Sequence, residues 1–318
     1  MMAIEVKNPA LWSGFFRALP EKILSPKDKI NLPPELLAQV ALNALMLSSM
    51  YILMALGFAI LLSVMRVLNF AHAVIYMGGG YICYQLAIVY GLNQWLSLML
   101  AAIIMGLFGL FLERFCFRPF FGDVNRTLVM TLALIVIIES VVNILVGTQI
   151  RSLPAFASGI IRTGGVSLSV ERLVTFIISA ALLLVIIFFI QKTKIGQQML
   201  AVSQDDTGAV LQGINIYRVS AVATVIACAL AAVAGSLMGA IFSLSPYMGG
   251  HMLVKAIEIV ILAGIGSIGG VLVAGLILGT IDATLPILMS GSASDVVGLG
   301  IVILILLFRP QGLFGHEA

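Results

Sequence analysis

Charged side chains are scarce in this sequence, and their scarcity excludes an ordinary soluble protein. Only 10% of the 318 residues are Asp, Glu, Lys or Arg, whereas 61% are hydrophobic. A soluble domain carries charge on about a quarter of its residues, because it needs a polar surface in contact with water. The formal net charge of +3 is too small to indicate binding to nucleic acid. The composition therefore predicts an integral membrane protein.

Sequence patterns of nucleotide, metal and nucleophilic sites are also absent. No G-x-x-x-x-G-K-[ST] motif occurs, and the glycine-rich stretch 263–270 lacks the Lys-Ser or Lys-Thr of a phosphate loop, so we interpret it as a tight hairpin between two spans. No Ser-His-Asp grouping or metal cluster stands out. The cysteines are too few and too widely spaced for a disulfide framework or metal site (Cys83, Cys116 and Cys228). We expect no cofactor on this chain and no ATPase activity of its own.

Long hydrophobic runs dominate what is present. A membrane-spanning helix needs roughly 20 apolar residues, and the charge-free run 73–112 is long enough for two spans joined at 91–94. We predict an all-α, polytopic transmembrane helical bundle of about 8 to 10 spans, allowing for broken or re-entrant segments. The nine segments are 36–65, the two halves of 73–112, 127–150, 173–190, 219–242, 253–267, 269–288 and 296–308.

The positions of Lys and Arg predict the orientation of these spans, because cytoplasmic loops are enriched in both. We place 113–126, 191–218 and the tail from Arg309 in the cytoplasm, and 91–94, 148–172 and 243–252 outside.

We predict that residues 1–35 form a separate N-terminal amphipathic segment and that 36–318 form the transmembrane domain. Five basic residues in 1–35 predict a cytoplasmic location. A single crossing by 36–65 would instead place this segment outside. A helix break near Gly57 or within 66–72 would resolve that conflict.

A polar junction follows the first span. Asn69 and His72 lie between two apolar stretches, and Tyr76 precedes three consecutive glycines. One interpretation is a broken helix whose backbone lines a cavity. The other is a cytoplasmic turn with Arg66 at the lipid headgroups.

Lys255 and Glu258 form a second polar feature. They are three residues apart, so they can pair on one face of a helix. A charge at bilayer depth usually faces a partner or a cavity, whereas a shallow pair would lie at the interface. The same alternatives apply to Glu139 and Asp282.

The loop 192–218 is long for a simple connection. We predict two short helices divided near Asp205 and Asp206. Their apolar residues would contact a cytosolic partner, or the helices would lie on the membrane surface without one; these residues are Ile195, Met199, Val202 and 209–211.

Several segments in order resemble the membrane permease subunit of bacterial ABC importers for branched-chain amino acids and related hydrophobic, amide or aromatic-acid solutes. The resemblance covers about residues 36–315. It is carried by Arg66-Val-Leu-Asn-Phe-Ala-His72, Gly213-Ile-Asn215, Ala231-Ala-Val-Ala-Gly235, Pro246-Tyr-Met-Gly249, Leu262-Ala-Gly-Ile-Gly-Ser-Ile-Gly-Gly270 and Arg309-Pro-Gln-Gly-Leu313. The chain departs from the family at Ala73, Val74, Leu200-Ala201 and Glu258, so the solute stays open among these classes.

The resemblance implies a multi-pass protein of the bacterial inner membrane that imports a small solute. Its partners would be a homologous second permease, two cytosolic ATPases that use ATP and Mg²⁺, and a periplasmic solute-binding protein. In this family the two permeases more often form a heterodimer than a homodimer. It implies a substrate pathway near Asn69, His72, Tyr76, Lys255 and Glu258. It also implies an ATPase-coupling segment containing Gln204, Asp205, Asp206, Thr207, Gly208 and Gly213.

A stand-alone secondary transporter is the main alternative function. It would carry protons or ions on intramembrane acids, and Glu139, Glu258 and Asp282 are the candidates. A membrane-embedded enzyme would need a cluster of His, Asp or Glu, which the sequence does not contain.

Overall fold

The computed structural model describes residues 34–163, 166–264, 266–288 and 291–315. The predicted N-terminal segment therefore lies outside the described residues, apart from its last two positions. Eleven α-helices and one short hairpin make up the described chain: α1 (Pro34–Met65), α2 (His72–Tyr84), α3 (Gln94–Leu112), α4 (Val124–Val146), β1 (Ile160–Thr163), β2 (Val166–Ser169), α5 (Val170–Lys192), α6 (Lys194–Gln204), α7 (Asp206–Leu211), α8 (Ile216–Ile241), α9 (Met248–Ala263), α10 (Ile268–Leu288) and α11 (Gly291–Phe308).

Nine of the helices in the described residues match the nine predicted spans in order, so the predicted all-α bundle is confirmed. Seven helices in the described part of the chain are long and apolar enough to cross a membrane. Helix α9, with 16 residues, is about 24 Å long and is shorter than a typical bilayer core.

Two of the predicted loops contain regular structure that the sequence analysis did not assign to them. The helix that begins at Gln94 continues as one π-helical and one 3₁₀ turn to Phe120, so only the end of the predicted 113–126 loop is a turn. It continues because Glu113 and Phe117 are buried against the bundle. The loop 148–172 contains the antiparallel β1–β2 hairpin, in which Ile160 pairs with Ser169.

Helix α1 is unbroken through Gly57, contrary to one of the two breaks that we predicted. A Cβ atom at Gly57 would lie 3.0 Å from the Ala227 carbonyl oxygen and 3.2 Å from the His72 ring. This glycine therefore allows three helices to approach one another instead of bending α1. The chain breaks at the other predicted place, after Met65, where Arg66 adopts a positive φ of 53°.

Helices α1 and α8 form the centre of the bundle. Helices α8, α9, α10 and α5 pack on α1, and α2 and α3 pack on α8. Small residues allow these helices to approach closely: Gly235 lies against the Tyr76 carbonyl, and Gly275 and Gly279 lie against Ile52 and Ser48. Helices α4 and α5 are peripheral and expose many apolar side chains, as helices in contact with lipid do.

The bundle has two ends, and each gathers the loops that the charge distribution assigns to it. At the hairpin face, which contains 91–94, 148–169 and 243–247, the Gln94 side chain donates to the Pro154 carbonyl, and Arg151 and Leu244 form a β-bridge. The start of α1 lies here, because the backbone N–H of Ser167 donates to Gln39 at 3.1 Å.

The opposite end is the coupling face, which contains Arg66, α6, α7 and the segment 309–315. Arg66 donates to the Gln204 carbonyl oxygen at 3.2 Å. Leu313 donates to the Leu262 carbonyl oxygen at 2.8 Å, so the end of the described chain packs beneath the α9–α10 turn. That turn is the predicted hairpin, with a positive φ at Gly264 and Gly266. A cytoplasmic N-terminus stays a prediction, since α1 begins at the hairpin face.

Candidate functional site

A buried ion pair joins α9 to α10. The Lys255 side chain is 4% exposed, and its Nζ atom lies 2.9 Å from Asp282 Oδ2 and 3.1 Å from Asp282 Oδ1. The Tyr51 hydroxyl of α1 donates to Asp282 Oδ2 at 2.9 Å. A charge inside a membrane bundle is costly unless it is paired and hydrogen-bonded. Lys255 and Asp282 meet both conditions, and they tie three helices together.

Two more carboxylates face the same ammonium group. Asp295 Oδ1 of α11 lies 3.4 Å from Lys255 Nζ, and Glu258 Oε2 lies 3.9 Å from it. The predicted proximity of Lys255 and Glu258 is present, but Asp282 is the closer partner. His251 Nε2 lies 3.9 Å from Asp295 Oδ1. Three carboxylates therefore lie within 4 Å of one lysine ammonium group. We call these residues, together with the neighbouring Tyr51 and His251, the Lys255 cluster: Tyr51, His251, Lys255, Glu258, Asp282 and Asp295.

Glycine contacts explain how α1 comes close enough to contribute to the cluster. Added Cβ atoms at Gly275 and Gly279 would overlap Ile52 and Ser48 respectively. The two backbones therefore lie closer than larger side chains would allow. Tyr51, next to Ile52 in the chain, consequently reaches Asp282 from the neighbouring helix.

Three clefts adjoin the cluster. The first, of about 330 Å³, is lined by Tyr51, Tyr76 and His251. The second, of about 220 Å³, is lined by His251, Lys255, Glu258 and Asp295. The third, of about 210 Å³, reaches Asp282 from the side of Arg172. Small cavities with a few convergent polar groups are where solutes bind in helical bundles.

The predicted pathway residues fall into two groups. Tyr76 lines the first cleft, and Lys255 and Glu258 line the second. Asn69 and His72 are buried at the α1–α2 junction and line none of these three clefts. The His72 ring lies near the Met54 carbonyl without hydrogen-bonding geometry, and neither end of the Asn69 amide has a partner in the described residues. Their role in the pathway stays a prediction.

The α1–α2 junction is a turn, and the Arg66 side chain there reaches the end of α6 and the start of α7. Its guanidinium lies 3.7 Å from the Asp206 carboxylate, in addition to its bond to the Gln204 carbonyl. The junction is therefore a turn at the end of the bundle that carries α6 and α7. Its location in the cytoplasm stays a prediction.

The predicted coupling segment forms two short helices, as expected, with Asp205 between them. Thr193 caps α6, since its hydroxyl accepts from the Gly196 backbone N–H at 3.0 Å. Thr207 and Gly208 lie in α7, and Gly213 follows it with a positive φ of 80°.

The apolar residues of this segment do not form one outward surface. Met199, Val202 and Ala209 are buried against the bundle, whereas Val210 and Leu211 are exposed, Leu211 by 82%. An amphipathic helix that packs on its own protein buries one face, so fewer residues are free for a partner than we predicted.

Several members of the Lys255 cluster escaped sequence analysis. Sequence analysis names Asp282 as an intramembrane acid but does not place it beside Lys255, and it does not place Tyr51, His251 or Asp295 there either. Asp295 lies in a run of small polar residues that is typical of a loop. Glu139 is not part of the cluster and makes no ion pair within the described residues.

The described residues form a bundle of apolar helices with a buried charge cluster and two short helices at one end, which is the architecture of a multi-pass membrane protein. Residues 40–307 match the family described as branched-chain amino acid transport system, permease component. The chain belongs to that family. It is the membrane permease subunit of an ABC importer and not a stand-alone secondary transporter.

Individual relatives agree with this assignment. The high-affinity branched-chain amino acid transport system permease protein BraD of Pseudomonas aeruginosa is 31% identical over 294 residues, which cover 87% of this chain and 95% of BraD. The corresponding LivH of Escherichia coli K12 is 30% identical over 293 residues, with the same coverage. PsaBC from Streptococcus pneumoniae, solved in complex with a Fab, has the same fold with a TM-score of 0.50 and 13% identity, over 86% of this chain and 92% of that chain.

Proposed function

We propose that this chain forms one half of the translocation path of an ATP-driven importer for a small solute. A homologous second permease would supply the other half. The family match over 40–307 carries this proposal. The Lys255 cluster supports it, because paired charges inside a membrane bundle usually face a solute path or a subunit contact.

The ATP would be hydrolysed by two separate cytosolic subunits that bind ATP and Mg²⁺. Helices α6 and α7 are the proposed contact with one of them, since they lie side by side at one end of the bundle and present Val210 and Leu211 outward. Arg66 holds this segment to the end of α1. Movement of α6 and α7 would therefore be passed to the central helix directly.

The protein would lie in the bacterial inner membrane with its coupling face in the cytoplasm. The C-terminal segment at that face would then be cytoplasmic too. The hairpin face would meet a periplasmic solute-binding protein. The positions of Lys and Arg support this orientation, because 91–94 and 243–247 contain neither residue.

Branched-chain amino acids are the first solutes to test, because the curated relatives carry that solute in their names. Other hydrophobic amino acids, amides or urea, and aromatic acids follow. None of these requires chemistry from this chain beyond binding and release.

Purification of the tagged chain from its native host in mild detergent, followed by mass spectrometry, tests the assembly. We expect two phosphate-loop ATPases and a similar permease to co-purify. A chain that repeatedly purifies alone in several detergents would overturn the proposed assembly.

A coupling variant tests the role of α7. We expect Leu211→Ser to lower solute uptake per ATP hydrolysed in proteoliposomes, because it removes an exposed apolar contact without disturbing the bundle. Ile160→Ser is the matched control, since Ile160 is also exposed (64%) but lies on the hairpin face. An unchanged ratio of uptake to hydrolysis in Leu211→Ser would contradict the assignment of α7.

A further inference from the structure

One carboxylate of the Lys255 cluster lacks a hydrogen-bond partner. Glu258 is 7% exposed, and its Oε2 atom accepts no hydrogen bond within the described residues. The nearest cation, Lys255 Nζ, is 3.9 Å away, beyond hydrogen-bonding distance. Glu258 nevertheless lines the cleft of about 220 Å³. A buried carboxylate without donors is costly. The Oε2 atom itself is enclosed, but the Glu258 side chain borders the cleft, so a donor that entered the cleft could supply the hydrogen bond that this carboxylate lacks.

The charge of the cluster indicates which donor fits. Lys255 makes its two short contacts with Asp282, at 2.9 and 3.1 Å. Asp295 Oδ1 lies 3.4 Å and Glu258 Oε2 3.9 Å from the same ammonium group, and His251 Nε2 lies 3.9 Å from Asp295 Oδ1. Three carboxylates therefore face one lysine, and the two that lie farther from it, Glu258 and Asp295, border the cleft. The described residues contain no group of three His, Cys, Asp or Glu side chains arranged to hold a metal ion. An organic cation fits this cleft better than a metal.

The size and walls of the cleft limit the rest of the ligand. Its volume of about 220 Å³ is below the roughly 300–1,000 Å³ of pockets for drug-sized molecules. The remaining lining is aliphatic, from Val254, Val296 and Leu299. A small molecule with one ammonium group and a short aliphatic chain matches both parts of the lining.

The cleft cannot face lipid at low cost. The Asp295 side chain is 56% exposed, and an exposed carboxylate next to the hydrocarbon of a bilayer would be strongly unfavourable. This side of α9 and α11 must therefore be covered by water or by another subunit. Both are expected of a wall of a path between two permeases.

We infer that the cleft between α9 and α11 binds the ammonium group of an aliphatic amine or amino acid through Glu258 and Asp295. This inference rests on the proposed function and narrows it. Solutes with an amino group would bind here, whereas amides, urea and aromatic acids without one would not.

The test measures binding without transport. The purified complex, with its permeases and ATPases but without ATP or solute-binding protein, is titrated with 3-methylbutylamine, L-leucine or 4-methylpentanoate while its thermal unfolding is followed. A ligand that binds the folded state raises the unfolding temperature in a concentration-dependent way. We expect the two amines to stabilise the complex and 4-methylpentanoate, which lacks the amino group, to have no effect.

Variants assign the effect to the cleft. Losing one charged hydrogen bond weakens binding by roughly 10-fold to 100-fold, so Glu258→Gln should shift the amine titration to that extent. Asp295→Asn is the second variant, because its exposed side chain can be changed without disturbing the core. Glu139→Gln, which changes an intramembrane acid outside the cluster, should titrate like the unmodified complex.

The outcomes separate the two proposals. Equal stabilisation of the unmodified complex and both cleft variants would overturn the amine site, as would equal stabilisation by 4-methylpentanoate. Neither result would affect ATP-driven uptake, which is measured separately in proteoliposomes. A complex that binds amines but shows no ATP-dependent uptake would instead contradict the proposed function.

Discussion

Removing the positive charge of Lys255 should be one of the most destabilising single changes in this protein. The Lys255→Met variant keeps the length of the side chain but leaves Asp282 buried without its ion pair. Two unit charges about 3 Å apart attract by roughly 5–6 kcal/mol at an effective dielectric constant of about 20. Desolvation offsets much of this attraction. Loss of one partner of a buried pair still costs about 3–5 kcal/mol, because the other charge is left uncompensated.

A double-mutant cycle separates the pair from general loss of packing. The double variant Lys255→Met/Asp282→Leu removes both charges of the ion pair, so neither residue leaves the other as a buried charge without its partner. It should therefore be more stable than the sum of the two single effects predicts. We expect a coupling energy of about 1–3 kcal/mol. Unfolding by increasing sodium dodecyl sulfate in mixed micelles measures each variant. Lys192→Met, at an exposed position at the end of α5, is the control and should change stability by less than about 0.5 kcal/mol.

The reasoning is refuted if Lys255→Met is as stable as Lys192→Met. It is also refuted if the two single effects at 255 and 282 are additive. Either result would mean that the 2.9 Å contact between Nζ and Oδ2 contributes nothing measurable to folding.

Two further changes test the packing of α10 and the attachment of the coupling helices. Gly279→Ala should lower stability by about 1–3 kcal/mol through overpacking, because its Cβ would overlap Ser48. The control is Gly300→Ala, where no atom lies within 4 Å of an added Cβ; it should be neutral or stabilising by up to about 1 kcal/mol. Equal effects of the two variants in a detergent unfolding assay would contradict the contact between Gly279 and Ser48. Arg66→Gln should change stability by less than about 1 kcal/mol, because the ion pair of Arg66 with Asp206 is largely exposed. It should nevertheless lower solute uptake per ATP hydrolysed in proteoliposomes. An unchanged ratio of uptake to hydrolysis would show that the contact of Arg66 with α6 and α7 is dispensable for transport.

Sequence analysis predicted the helices well because their signal is local. Hydrophobic runs give the number of spans, and Lys and Arg give their direction. The contacts at the hairpin face and at the coupling face bring together the loops that this rule assigned to the same side. The boundary errors arose where helical residues carry charge, as in the helix that continues to Phe120.

The β-hairpin could have been predicted and was not. Residues 160–163 and 166–169 are short and rich in β-branched or hydroxyl side chains, and Gly164-Gly165 between them is a hairpin turn sequence. This local signal is short, and the long apolar helices around it dominate the composition.

The Lys255 cluster could be predicted only in part, for a physical reason. Lys255 and Glu258 share a helix face, and that relation can be read from their spacing. Asp282 and Asp295 come from two other helices, and Tyr51 from a fourth. Which residues meet across helices depends on close contacts such as that of Gly279 with Ser48, and no local pattern encodes those contacts.

The two positions at which a break in α1 was predicted, Gly57 and 66–72, show why residue type alone is an uncertain guide to helix breaks. Gly57 is the residue at which a bend was expected, yet it lies inside a straight segment because any side chain there would press on Ala227 and His72. The break falls instead at Arg66, a residue that adopts positive φ at some cost. Its side chain compensates by bonding to the Gln204 carbonyl and approaching Asp206. The end of α1 is therefore held by a contact with α6 and α7. The same helix contributes Tyr51 to the Lys255 cluster, some 15 residues or about 22 Å before Arg66.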